Sequence, residues 1–93
     1  MPQFILMTNL TPDGVRTIKN HPGRISEVNS EMEQIGLKVL HQWATLGAYD
    51  FISIVEAPDA ETMARASVEL GSRGTTTNQT LVAIPAEQFA EGL

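Results

Sequence analysis

Between Gly47 and Asp59 the chain sets a turn, a strand and a helix start in one stretch, Gly-Ala-Tyr-Asp-Phe-Ile-Ser-Ile-Val-Glu-Ala-Pro-Asp. No other segment limits the fold as tightly. Phe51–Val55 is rich in β-branched and aromatic residues, which suit a pleated, half-buried surface. Alternation sends Ile52 and Ile54 to one face and Tyr49, Phe51, Ser53 and Val55 to the other. Both faces carry apolar bulk, so the run reads as a central strand covered on each side. Gly47 permits the reversal before it, because glycine reaches positive φ without a Cβ clash. Pro58 fits a first helical position, and Asp59 and Glu61 complement the helix dipole in the first turn.

The remaining elements fall around this strand. Pro2–Thr8 is a short apolar run of strand length, with Phe4 and Leu6 on one face and Ile5 and Met7 on the other. Thr11, Pro12 and Asp13 form a capped helix start. His21-Pro22-Gly23 interrupts that helix, since proline disfavours helix at the residue before it. It resumes near Arg24 with Ile25, Val28, Met32 and Ile35 at helical spacing, and Gly36 stops it. Leu37–Ala44 predicts a strand with Leu37, Val39, His41 and Trp43 on one face, joined by a short hairpin to Phe51. A helix from Pro58 to about Ser72 turns Ala60, Met63, Ala64, Ser67 and Leu70 inward, and Gly71 and Gly74 bracket its end. Thr75–Ile84 predicts the fourth strand, and Pro85–Phe89 a short terminal helix anchored by Phe89.

The order is β-α-β-β-α-β. Two helices can cover only one face of a four-stranded sheet and leave the other bare. His41, Trp43, Tyr49, Phe51 and Leu81 are expected on that bare face, which predicts a homodimer or higher oligomer joined sheet to sheet. Composition excludes several classes. There is no cysteine, so disulfides, thiolate nucleophiles and cysteine metal sites are absent. A net charge of −5, with the six Lys and Arg dispersed, argues against a nucleic-acid surface. No run reaches transmembrane length and Met1–Leu10 carries no basic leader, so a soluble cytoplasmic protein is expected. Neither His21 nor His41 belongs to a group with metal-ligand spacing, and no cofactor is expected.

Gly47-Ala-Tyr-Asp50, Glu56-Ala-Pro-Asp59 and the Thr-rich last strand resemble the GYD domain family, as do Thr11-Pro-Asp-Gly14 and the Gly71–Thr80 passage. The resemblance covers nearly the whole chain. It implies one GYD-type domain over residues 1–93: an α+β, ferredoxin-like βαββαβ unit with a four-stranded antiparallel sheet that pairs as a dimeric α/β barrel. More distantly, the same features resemble the effector-sensing domain of Lrp/AsnC-type regulators. Thr75-Thr-Thr-Asn-Gln-Thr80 departs from the family pattern by lacking an Arg and a Glu, so no charged ligand contact is carried over there.

The candidate site residues are His41, Trp43, Tyr49, Asp50, Thr77 and Gln79. His41 and Tyr49 are the candidate acid/base pair for a cofactor-free monooxygenase- or isomerase-like enzyme in a barrel cavity. Against that, Tyr49 suits a hairpin corner and His41 an interface. Asp50 beside a glycine turn suits acceptance of backbone N–H bonds, and Trp43 suits interface bulk. Thr75–Thr80 offers hydroxyls and amides to a small polar ligand, although threonine also suits strands for their own sake. The favoured reading is a non-enzymatic, small-ligand-binding or regulatory module. The alternatives are the cofactor-free enzyme and a structural oligomer without a ligand.

Overall fold

The first strand alternates inward Phe4, Leu6 and Thr8 with outward Ile5, Met7 and Asn9, and everything else is laid against it. A computed structural model describes residues 1–93. The elements are β1 (Gln3–Leu10), α1 (Pro12–Asn20), α2 (Arg24–Gln34), β2 (Lys38–Ala44), β3 (Phe51–Glu56), α3 (Ala60–Ser72), β4 (Thr76–Ala83) and α4 (Ala86–Glu91). The strands form one antiparallel sheet in the order β2-β3-β1-β4. This is the expected α+β, ferredoxin-like arrangement.

The core lies on one side of the sheet. Phe4, Leu6, Leu37 and Val55 meet Met32 of α2 and Met63, Ala66 and Leu70 of α3, with Val28 and Val39 packed at the margin. Only 12 of 93 residues are buried, because helices cover a single face. Local signals account for the helix ends. The Thr11 hydroxyl accepts from Gly14 N and donates to the Gly74 carbonyl at 2.7 Å. Thr11 N also donates to the Thr75 carbonyl at 3.0 Å, so the start of α1 is tied to the chain entering β4. Gly36, at φ +100°, ends α2 in the left-handed region, where any side chain would be strained.

Several expectations are corrected. Pro58 stands outside α3, and Asp59 is its cap, accepting from Thr62 N at 2.7 Å. Ala66 takes the buried position expected of Ala64, which is exposed. Phe89 anchors nothing: it is 60% exposed on α4. The largest correction concerns β2. Its register shifts between Val39 and His41, where Val39 pairs with Val55 but His41 pairs with Ile54. The bulge spends one residue, Leu40, without advancing the partner strand. Leu37 and Val39 therefore face the helices, whereas His41 and Trp43 face away. Phe51 likewise lies with Ser53 and Val55 on the helix side, not on the bare face.

Two carboxylates titrate below their ordinary values of 3.8 and 4.5. The Thr62 backbone N–H bonded to Asp59 holds the first down; the Arg73 guanidinium bonded to Glu31 holds the second. A depressed carboxylate contributes stability that is present above its ordinary pKa and lost as pH falls through the lower, folded value. The Asp59→Asn, Glu31→Gln double variant should therefore show a flatter decline in melting temperature below pH 4.5 than the wild type. Parallel declines measured by scanning calorimetry would rule out both contributions.

Candidate functional site: the open face of the sheet

Strand pairing sets the residues of the uncovered face in rows. His41, Ile54, Ile5 and Leu81 form one row, and Trp43, Ile52, Met7 and Gln79 the next. Lys38, Glu56 and Gln3 border these rows at one end; Asn9 and Thr77 border them at the other. The result is an aliphatic island with an aromatic pair on the β2 edge and a polar margin at both ends. The rings of His41 and Trp43 stack, with centroids 5.6 Å apart and planes inclined by 13°. Trp43 is 51% exposed and Leu81 43%.

An apolar centre with an aromatic pair and a polar margin is the pattern of a contact surface. Interfaces concentrate apolar area at the centre, ring it with polar groups, and draw much of their affinity from aromatic anchors. Large apolar side chains grouped on one face mark a contact surface more often than scattered ones do.

Of the residues singled out from the sequence, His41, Trp43, Tyr49, Thr77 and Gln79 come together on this face. The Tyr49 hydroxyl donates to Gln79 Oε1 at 2.7 Å, pinning the loop before β3 over the β4 side of the sheet. Asp50 is turned to another task. Its carboxylate accepts from Leu10 N at 2.8 Å, and its own N–H donates to the Thr8 carbonyl at 2.8 Å. It locks the loop onto the end of β1, rather than fixing the hairpin alone.

His41 and Tyr49 share no hydrogen bond. The Tyr49 hydroxyl is engaged at β4, whereas His41 lies on β2, roughly 14 Å away across three strand spacings. The cleft lined by Thr8, Phe51, Ser53 and Val55 lies on the other side of the sheet, and neither residue lines it. Within one chain the two do not make an acid/base pair. His21 is exposed in the α1–α2 break and meets the Glu27 carboxylate at 3.1 Å.

The selection by chemistry missed the middle of the face. Ile5, Met7, Ile52 and Ile54 bear no functional group, so a search for proton carriers and ligands passes over them, although period-two alternation already placed them together. The bulge at Leu40, which brings His41 and Trp43 beside them, has no such signal.

The family model for the GYD domain matches residues 4–93. A protein of Thermus thermophilus named glutamine synthetase and cystathionine beta-lyase binding protein is 51% identical over 86 residues, covering 91% of this chain and 90% of that protein. The crystal structure of TTHA0845, also from Thermus thermophilus, matches with a TM-score of 0.58 at 16% identity. That match spans 91% of this chain and 95% of that one, and it is a likeness of fold. The expectation that partners are limited to further copies of the chain and a small molecule is corrected by the first of these proteins. A relative this similar is named for binding two enzymes.

Proposed function

We propose that this chain, which belongs to the GYD domain family, is a protein-binding module that docks onto a metabolic enzyme through the open face of its sheet. The observation that carries the reading is the island of Ile5, Met7, Ile52 and Ile54, flanked by Trp43 and Leu81 and left uncovered by every helix. The relative's name supplies the kind of partner: glutamine synthetase first, cystathionine beta-lyase second. On this reading Trp43 and His41 anchor the contact, and Tyr49, Gln79 and Thr77 give polar contacts at its margin. Asp50 holds the Tyr49 loop in place. The module regulates by occupying its partner's surface.

Purified glutamine synthetase and cystathionine beta-lyase from the same organism are the probes. Immobilised chain should bind one of them with a dissociation constant in the micromolar range or tighter, and should ignore an unrelated enzyme of equal charge. Failure of both to bind at roughly 100 µM, about 5.5 kcal/mol of affinity, would overturn the proposal.

A further inference from the structure

The helix-facing side of the sheet changes character along its length. At one end Phe4, Leu37 and Val55 make an ordinary apolar core under α2 and α3. Toward the other end the inward positions are Thr8, Ser53, Gln42, Asn78 and Thr76, where a packed core would place aliphatic side chains. Between this floor and the helices α1 and α2 lies a cleft of about 510 Å³, within the range of metabolite-binding pockets. Ile18, Ile25, Val28, Val39 and Phe51 wall it, and every one of them is only half-buried. Apolar area gathered around one cavity is what an apolar guest would remove from water.

The rim offers no free charge. Arg24 meets Glu31 at 3.1 Å and Glu27 at 3.8 Å, and Arg73 meets Glu69 at 3.3 Å and also Glu31. Both guanidiniums are taken by carboxylates, and each of those carboxylates has a cation, so a charged guest of either sign would have to break a pair to gain one. The capacity left over is a donor on the floor. Asn29 Nδ2 donates to Gln42 Oε1 at 2.9 Å, and Gln42 Nε2 donates to Ser53 Oγ at 3.1 Å. Ser53 ends this chain of bonds. Its hydroxyl is an acceptor there, its residue is 1% exposed, and its own O–H is left without an acceptor. A buried donor without a partner costs free energy that a carbonyl oxygen in the cleft would recover. Paired charges, apolar walls and one buried O–H select an uncharged molecule with an apolar body and an accepting oxygen.

We propose that the cleft between α1–α2 and the polar end of the sheet binds a small uncharged carbonyl compound, its apolar body against Ile18, Val28 and Phe51 and its oxygen accepting from the Ser53 hydroxyl. The site lies across the sheet from the docking face and stands independently of the protein-binding reading.

The test is amide NMR titration of the full chain with two ketones, 1-indanone and cycloheptanone, and with phenylacetate as an anion of similar size. One of the ketones should bind and shift the Ser53, Phe51 and Val28 amides, and phenylacetate should bind at least roughly tenfold more weakly, because its charge loses water and gains no cation. Ser53→Ala should weaken that ketone by roughly fivefold and leave its parent hydrocarbon, indane or cycloheptane, no weaker, a difference that a merely looser cleft would not produce. Four outcomes overturn the proposal: no shifts with either ketone at millimolar concentration, phenylacetate binding as tightly as the ketone, ketone and hydrocarbon weakened equally by Ser53→Ala, or shifts confined to the open face around Trp43. The wild-type titrations decide the matter even if the variant fails to fold.

Discussion

Replacing Trp43 with alanine should weaken binding to the partner enzyme by roughly thirtyfold, about 2 kcal/mol, while changing the stability of the chain by no more than about 1 kcal/mol. The separation of the two effects follows from where the indole lies. It is half exposed, stacks on the exposed His41 ring, and belongs to none of the core that α2 and α3 cover. Removing it opens no internal void, so the cavity cost that accompanies core truncation does not arise. What it does remove is the largest apolar surface on the open face. Val68→Ala is the matched control, because Val68 is a comparably exposed apolar residue on α3, across the sheet. It should leave the affinity unchanged. Calorimetric titration with the enzyme that binds the wild type checks both; equal affinities for wild type and Trp43→Ala would remove the indole from the interface.

Gly14→Ala should be the most damaging single methyl in the molecule. A Cβ built on Gly14 lies 2.0 Å from the Thr75 carbonyl oxygen and 3.0 Å from its carbon. The obstacle is backbone, which cannot swing aside as the tip of a side chain would. That same carbonyl accepts from Thr11 N, and the neighbouring Gly74 carbonyl accepts from the Thr11 hydroxyl. Relieving the clash therefore separates α1 from the start of β4 and breaks the bonds that cap the helix. Overpacking of this kind costs about 3 kcal/mol, a drop in melting temperature of more than about 10 °C for a chain of this size. Gly71→Ala is the contrast. Nothing lies within 4 Å of its added Cβ. Its loss of unfolded-state freedom should leave stability unchanged or raised by up to about 1 kcal/mol. Thermal denaturation of the two variants side by side decides it: equal melting temperatures would mean that α1 does not depend on this close approach.

How much of this could be read from the sequence depends on the range of the interaction involved. The β-α-β-β-α-β order, the break at Pro22 and the stop at Gly36 are written in residues that act on their immediate neighbours, and the structure has each of them. Gly14 is legible only as part of a helix start, because its importance comes from Thr75, a residue far along the chain that only the fold brings close. The faces are legible wherever a strand runs without interruption. They are misread where the Leu40 bulge reverses the alternation in β2, an event fixed by pairing with β3. Phe51 is misplaced by the expectation that grouped it with Tyr49 on the bare face, although its own alternation with Ser53 and Val55 already sets it toward the helices. The candidate site is half legible. Trp43, His41, Tyr49, Thr77 and Gln79 share the face that the topology leaves bare, yet its aliphatic centre offers no chemistry for a motif search to find. The polar end of the inner face is hidden in the Thr75–Thr80 run: pairing sends Thr76 and Asn78 inward and Thr77 and Gln79 outward. One composition thus serves two surfaces.

Oxidative footprinting of the chain, free and saturated with the enzyme it binds, tests the docking surface most directly. Trp43 and Met7 are reactive side chains in one row of the open face, whereas Met32 and Met63 are buried beneath the helices. Trp43 and Met7 should be labelled in the free chain and protected in the complex. Unchanged labelling of both in the saturated complex would contradict the account.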